Sequence, residues 1–382
     1  MKHVETVIIG QGLAGTAIAW TLANLGRDFC LIDDGDLHSS SQIAAGLVTP
    51  ITGARHVQSW GWETAYPIAR EFYQNCESFT KTHFWKVEPA IRFFVFKEEN
   101  ERFENRYGSD ATANCSSGLI GSRDQFQKEL DQSSWSTVID APCSGFVMPE
   151  AARLMTAEFL KASRGYFESI ESVCTAKIFP STDIVIENEE VIIESADIRC
   201  KQVVFCEGHS ALKNPWFHPI EIVPAQGDIL TVRIPGLRLD RVLHAGFWIA
   251  PVSIESVGNE SVGITSKDDE FLYHVGSTYR WSPLNGVPNE ESRAILSEKL
   301  RSLVRLPFEV VDHRAAIRPA GFDHKPLLGN HPNQPNLWIL NGIGAKGVLH
   351  APWCAEMLIS AMLLQQPIDT DLAWNRKRKR NG

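Results

Sequence analysis

The chain has 382 residues, with 37 Lys and Arg set against 46 Asp and Glu for a net charge of −9. That length allows two or three domains or one large two-part enzyme, and the acidic balance argues against a broad nucleic-acid-binding face. Eight cysteines are scattered without a C-x-x-C or a zinc-like cluster, which predicts reduced thiols in a cytoplasmic protein and no bound metal. No stretch reads as long and apolar enough to span a bilayer, and the apolar N-terminus, broken by glycines and lacking a cleavage site, argues against export.

Residues 4–9, Val-Glu-Thr-Val-Ile-Ile, form a β-branched run suited to a buried parallel strand. Gly10-Gln11-Gly12-Leu13-Ala14-Gly15 follows, then an Ala- and Leu-rich helix to Gly26 and a second strand, residues 29–32, ending at Asp33 and Asp34. Gly10 suits the tight turn, Gly12 the approach of a pyrophosphate, and Gly15 close helix–strand packing. The helix N-terminus would face the diphosphate, and Asp33 stands where a carboxylate accepts hydrogen bonds from a ribose. Small residues at 39–50, including Ala45, Gly46 and Leu47, suit a segment lying against a bulky planar ligand.

An amphipathic helix is expected over residues 63–81 and a strand over 91–96. Residues 97–145 show a short helix near 123–130 and no pattern that points to chemistry. Gly145-Phe146-Val147-Met148-Pro149 leads into a helix through Arg164, followed by strands at 184–187, 191–195 and 201–205, the last ending in Cys206-Glu207-Gly208. Residues 220–281 read as antiparallel strands with turns at 235–236 and 258–259. A helix at 290–304, strands at 308–317 and 337–340, a glycine loop at 341–347 and a helix at 348–364 complete the fold. The basic run 376–380 reads as a solvated, disordered end, with an RNA- or membrane-touching arm as the alternative.

A nicotinamide domain usually finishes its nucleotide fold in one continuous run of βα units. Here the first unit is interrupted by antiparallel material, resumed, interrupted again and closed by the C-terminal strand, loop and helix. That final helix could aim its N-terminus at a second site on the same cofactor, as the N1–C2=O edge of a flavin requires, and this favours FAD. The expected fold is α/β (α+β). A Rossmann-like FAD-binding domain, discontinuous over residues 1–84, 140–212 and 310–382, joins a substrate domain (85–139 and 213–309) with a mostly antiparallel sheet flanked by helices.

The motifs resemble those of the FAD-dependent amine and D-amino-acid oxidase family, particularly its glycine oxidase and sarcosine oxidase branch. They are also similar to the oxidoreductase domain of the bifunctional enzyme that matures methylaminomethyl wobble uridines in tRNA. The segments that carry this are Ala44-Ala45-Gly46-Leu47, residues 145–149, residues 204–208 and above all Ala315-Ala316-Ile317-Arg318-Pro319 through Gly329, followed by Asn341-Gly342-Ile343-Gly344-Ala345-Lys346-Gly347-Val348. The nucleotide pattern and the resemblance assign cofactor contacts to Gly10, Gly12, Leu13, Ala14, Gly15, Asp33, Asp34, Ala45, Gly46, Leu47, Val173, Gly208, Arg318, Gly342, Gly344, Ala345, Lys346, Gly347 and Val348.

The resemblance implies that Arg318 clamps a substrate carboxylate beside the flavin, a bidentate grip that orients the carbon to be oxidised. Arg314, four residues earlier on the same strand, would face the same side. Trp248 stands where relatives often carry a pocket tyrosine, and Tyr279 could restore that hydroxyl. Lys346 could stabilise reduced flavin or help oxygen react, although backbone amides could suffice. His56, His209, His324 and His350 read as structural or solvent-facing. Covalent relatives attach flavin through a cysteine near the position of residues 314–316; none stands there, so non-covalent FAD is expected.

The leading expectation is therefore an enzyme that oxidises the C–N bond of a small amino acid or secondary amine, the imine then being hydrolysed and electrons passing to oxygen or another acceptor. One alternative is a tRNA-modifying oxidoreductase acting on carboxymethylaminomethyl-uridine, which the acidic body and the lack of a recognisable fused methyltransferase domain oppose. The other is a non-catalytic flavin-binding protein.

Overall fold

The computed structural model describes residues 1–108, 118–140, 144–252 and 271–378, so the turn expected at 258–259 and Lys379 and Arg380 of the basic run lie outside the described residues. Two large sheets border one long cleft. In the first, Lys2–Ile9 pairs in parallel with Phe29–Asp33 on one side and Ile198–Phe205 on the other. Val173–Thr175 extends the sheet beyond Phe29–Asp33, and Gln334–Asn341 beyond Ile198–Phe205, both in parallel. Val7, Ile8, Leu31, Val203 and Val204 are completely buried, as a parallel sheet covered on both faces requires. Gly10 and Cys206, at the carboxyl ends of adjacent strands, sit where the strand order reverses, the place at which open α/β sheets bind ligands.

Helices Leu13–Asn24, Trp62–Thr80 and Gly347–Leu364 pack together against this sheet. The segment Gly344–Leu364 has a mean hydropathy of 1.4 and is long enough to cross a bilayer, contrary to the expectation from sequence. Its apolar character has a different cause here. Val348, Leu349, Ala351, Cys354, Ala355 and Leu358 are buried in the core, so the helix is apolar over most of its surface, with Glu356 on the exposed side.

The second sheet runs in the order Glu309–Gly321, Ile222–Arg233, Leu272–Gly276, Trp248–Pro251, Leu243–His244, Ala90–Phe93, Gly145–Met148. Side chains alternate along each strand. Ile91, Phe93, Val147, Leu230, Val232, Leu243, Ile249 and Val275 face a core shared with Leu296, Leu300 and Leu303 of the helix Glu290–Leu303. Their neighbours Gly227, Ile229, His244, Trp248 and Arg318 face the cleft. The boundaries drawn from sequence gave both edge strands to the cofactor domain. Both are paired into this second sheet: Glu309–Gly321 follows Ile222–Arg233 along its length, and Gly145–Met148 pairs with Ala90–Phe93.

Two polar stretches are more ordered than their composition suggested. Residues Lys97–Tyr107 form a helix, anchored where Phe103 packs on Phe94 and Phe146. At the basic end, Arg376 is bound by Asp323 and by the carbonyls of Pro326, Ala373 and Lys325, and Arg378 pairs with Glu221. This part of the basic run is a folded brace, because each guanidinium finds a carboxylate on the body.

Candidate active site

The cleft has a volume of about 1920 Å³. That is roughly twice the upper end, about 1,000 Å³, for a drug-sized ligand, so it has room for a dinucleotide together with a small substrate. Gly10, Gly12, Leu13 and Ala14, Asp33 and Asp34, Ala45, Gly46 and Leu47, Gly208, and Gly344 to Val348 all line it. Its glycines are needed on steric grounds. Gly10 has φ +101°, and a Cβ there would lie 2.6 Å from the Cys206 carbonyl oxygen. Gly46 has φ +70°, with its added Cβ 1.7 Å from the Leu154 oxygen. Gly15 and Gly342 stand behind the wall: a Cβ on Gly15 would meet the Gly10 oxygen at 1.8 Å, and one on Gly342 would meet Leu327 Cγ at 2.8 Å.

Asp33 is held in place by its own turn. Its carboxylate accepts the N–H groups of Gln11 at 2.7 Å and Gly35 at 2.8 Å. Arg164 donates to the Gln11 side chain at 2.7 Å and lies 4.0 Å from Asp33, fixing the carboxylate at the cleft edge. Ser41, which no sequence pattern singled out for a specific role, accepts the Leu13 N–H at 3.0 Å and occupies the space that a side chain at Gly12 would need. Val173 does not reach the cleft. It sits beside Leu31 in the sheet, and the wall after this strand is formed by Ala176, Lys177, Ile178, Phe179 and Pro180.

At the other end, the helix Gly347–Leu364 starts at the cleft wall with its partial positive charge. Lys346 immediately precedes it, and its Nζ donates to Thr52 Oγ1 at 3.1 Å and Ser59 Oγ at 3.2 Å. Burial lowers its pKa from the ordinary lysine value. An ammonium held by two hydroxyls, beside a helix N-terminus, favours negative charge on whatever occupies that end of the cleft.

Opposite this end lies the face of the second sheet. The Arg318 guanidinium crosses over Gly227, where a Cβ would come within 2.0 Å of Nη2, and donates to the Thr278 carbonyl at 3.3 Å. Its carbon lies 4.5 Å from the Tyr279 ring centroid. Burial draws its pKa down, with Tyr279 and Asp228 acting the other way; a guanidinium stays charged regardless. Among the described residues Arg318 has no ion-pair partner, so its remaining N–H groups are available to a carboxylate. Arg314 also lines the cleft but pairs with Asp312 at 2.6 Å. Trp248 lies over Gly276, where an added Cβ would meet Cζ2 at 2.5 Å. Tyr279 is 55% exposed and presents its ring to the cleft.

Several contributors had no sequence signal. His244 stands opposite Trp248 in the sheet and lines the cleft, with its Nε2 buried and without a partner; burial, then Arg92, lowers its pKa to about 3 and keeps it neutral. Beneath Arg318, buried Asp228 accepts from Thr278 Oγ1 at 3.1 Å and contacts His313 Nε2 at 3.0 Å. Burial opposes its ionisation, but hydrogen bonds from His313, Thr278, Asn289 and Ser292 hold its pKa below the usual carboxylate value. This network fixes the backbone from which Thr278 and Tyr279 meet Arg318. Glu207 lines the cleft and, among the described residues, its carboxyl has a single donor, Asn214 Nδ2 at 2.7 Å; burial raises its pKa to about 7. Gly227 and Gly276 could have been suspected only as glycines inside strands, which often mark close approach.

Comparison with known proteins agrees with this geometry. The chain is 24% identical to the tRNA 5-methylaminomethyl-2-thiouridine biosynthesis bifunctional protein MnmC of Psychrobacter sp. (strain PRwf-1), covering 94% of this chain and 53% of that protein. It is also 24% identical to glycine oxidase of Bacillus licheniformis, over 97% of this chain and 95% of the relative. The chain thus spans about half the length of the bifunctional relatives it matches. The crystal structure of glycine oxidase from Geobacillus kaustophilus superposes with a TM-score of 0.77 at 17% identity, covering 99% of this chain and 100% of that one. The pattern of the family described as FAD dependent oxidoreductase (DAO) matches residues 5–361. With a two-ended cleft whose glycine walls fit a dinucleotide, the chain belongs to this family of FAD-dependent oxidoreductases.

Proposed function

We propose that the enzyme oxidises the C–N bond of a small amino acid or an N-substituted glycine. The observation that carries this is Arg318, a guanidinium at the cleft with one backbone hydrogen bond and no ion-pair partner among the described residues. Such a group holds a carboxylate in a bidentate grip and fixes the neighbouring carbon. The FAD isoalloxazine, when bound, supplies a hydride acceptor at N5. The chain's own residues do the rest. Arg318 orients the carboxylate, Tyr279 braces the guanidinium, and Trp248 walls the pocket. The ammonium of Lys346 and the helix N-terminus favour the negative charge that arrives with the electrons. The neutral imidazole of His244 adds no charge to repel a protonated amine on entry. The amine reacts as its neutral form, so its proton leaves to solvent before oxidation. The imine product is hydrolysed, and oxygen or another acceptor takes the electrons.

The test is an anaerobic titration of purified holoprotein with glycine, sarcosine, proline and D-amino acids, following flavin absorbance. Bleaching by at least one carboxylate-bearing amine, and not by its decarboxylated analogue, is expected. A yellow protein that none of them bleaches would refute the proposal.

A further inference from the structure

Away from the cleft, three arginines line a second, open pocket. Arg55 lies in the turn between Ile51–Thr52 and Val57–Gln58, and Arg102 and Arg106 lie on the helix Lys97–Tyr107; with Asn105 they line a space of about 580 Å³. Residues four apart on a helix share a face, which brings Arg102 and Arg106 together. In a chain of net charge −9, such a concentration of like charge calls for an explanation.

Among the described residues none of the three arginines forms an ion pair; Arg102 Nε donates only to the Glu98 carbonyl, at 3.1 Å. The helix's carboxylates are engaged elsewhere. Glu99 accepts the Val95 N–H, Glu101 pairs with Lys97 and Glu104 with Arg123, while Glu98 forms no ion pair with Arg102. The walls are also fixed. Arg92 donates to the Gly53 carbonyl at 3.0 Å and Tyr107 to the His56 carbonyl at 2.8 Å, pinning the turn against the strand and the helix. His56 itself is completely buried among Phe94, Phe103 and Phe146, with neither ring nitrogen partnered. Burial and then Arg92 lower its pKa to about 4; Glu99 acts the other way, and Arg102 and Arg106 add smaller effects in the same sense as burial.

The geometry points to a phosphate-binding site in which Arg55, Arg102 and Arg106, with Asn105, grasp a phosphate group carried as a monoester or as one link of a phosphodiester backbone. A carboxylate satisfies one guanidinium fork, whereas the oxygens of a phosphate can engage several at once. The site lies at the turn of the hairpin in which Thr52, beside that turn, and Ser59, just after the second strand, receive hydrogen bonds from Lys346. A phosphate-bearing molecule docked there would therefore lie next to the catalytic cleft without entering it.

The experiment uses FAD-loaded enzyme and an Arg102→Ala/Arg106→Ala variant, both positions being exposed and outside the catalytic machinery. Binding of inorganic phosphate is measured calorimetrically against chloride at matched ionic strength, and binding of labelled bulk tRNA by anisotropy over a salt series. Phosphate binding weakened tenfold or more in the variant, with flavin content and turnover unchanged, is the expected result. If tRNA also binds, with a shallower salt dependence in the variant, the source is a phosphodiester; if phosphate alone binds, it is a monoester. Equal binding by wild type and variant, or no binding of either probe to wild type, would overturn the assignment.

Discussion

The cofactor wall and the substrate wall of the cleft are built on different terms. Backbone forms the cofactor wall. At Gly10, Gly15 and Gly46 an added Cβ would collide with carbonyl oxygens that cannot move aside. Side chains standing on a sheet form the substrate wall. Gly227 and Gly276 there clear space only for the mobile ends of Arg318 and Trp248. The first wall has no freedom to give, and the second can adjust by a rotamer. A substitution of the same chemical kind should therefore abolish cofactor binding on one side and merely retune the substrate on the other.

The largest effect should come from Gly46→Ala. The residue is left-handed, which costs about 1–3 kcal/mol for a non-glycine, and the Leu154 backbone blocks the new methyl. Dialysed protein should lose most of its bound flavin; full occupancy after dialysis would contradict the rigid-wall reading. Next is Arg318→Ala, which should lower kcat/KM for a carboxylate-bearing amine about 10²- to 10³-fold, the size of losing a buried charged hydrogen-bond pair, while flavin content stays intact. Gly227→Ala displaces the same guanidinium without removing it, so KM should rise about tenfold with kcat less affected. Should Gly227→Ala instead empty the protein of flavin, the two walls would not differ as described.

Glu207 tests the comparison through pH. Its pKa is raised to about 7 by burial, so it is neutral below that value and ionises above it, facing a cleft that receives an anionic diphosphate. Its contribution to stability is fully present below the ordinary carboxylate pKa and is lost as pH rises to about 7. FAD affinity should fall several-fold over the same rise, and Glu207→Gln should flatten the profile, read from quenching of flavin fluorescence at pH 5.5 and 8.5. Parallel profiles for the two proteins would sink the idea. The smallest effect is expected for Tyr279→Phe. The ring stacks on Arg318, and the hydroxyl makes no hydrogen bond among the described residues. A change in kcat/KM beyond about threefold would mean that the hydroxyl touches substrate.

This contrast also explains what the sequence disclosed. The cofactor wall was legible because backbone constraints leave glycine as the residue that fits, and glycines at fixed spacing between a strand and a helix form a pattern. Arg318 was singled out only through resemblance, since an arginine before a proline says nothing of itself. His244 and the Asp228 network were hidden, because they depend on which strands become neighbours, and Leu243–His244 joins two segments distant in the chain. The partners of the two edge strands were hidden for the same reason: alternation predicts a strand but not the sheet it will join. Val173, assigned from the resemblance, opens a short strand and does not line the cleft, a difference that no local pattern records.

The walls of the cleft are widely separated in order of synthesis. After Gly10 leaves the ribosome, the opposite wall at Gly347 needs more than three hundred further residues. At about 5–20 residues per second, the glycine cradle waits on the order of half a minute for its counterpart. A growing chain thus cannot enclose its prosthetic group, and loading becomes a late event, open to competition from aggregation when the vitamin-derived ligand is scarce.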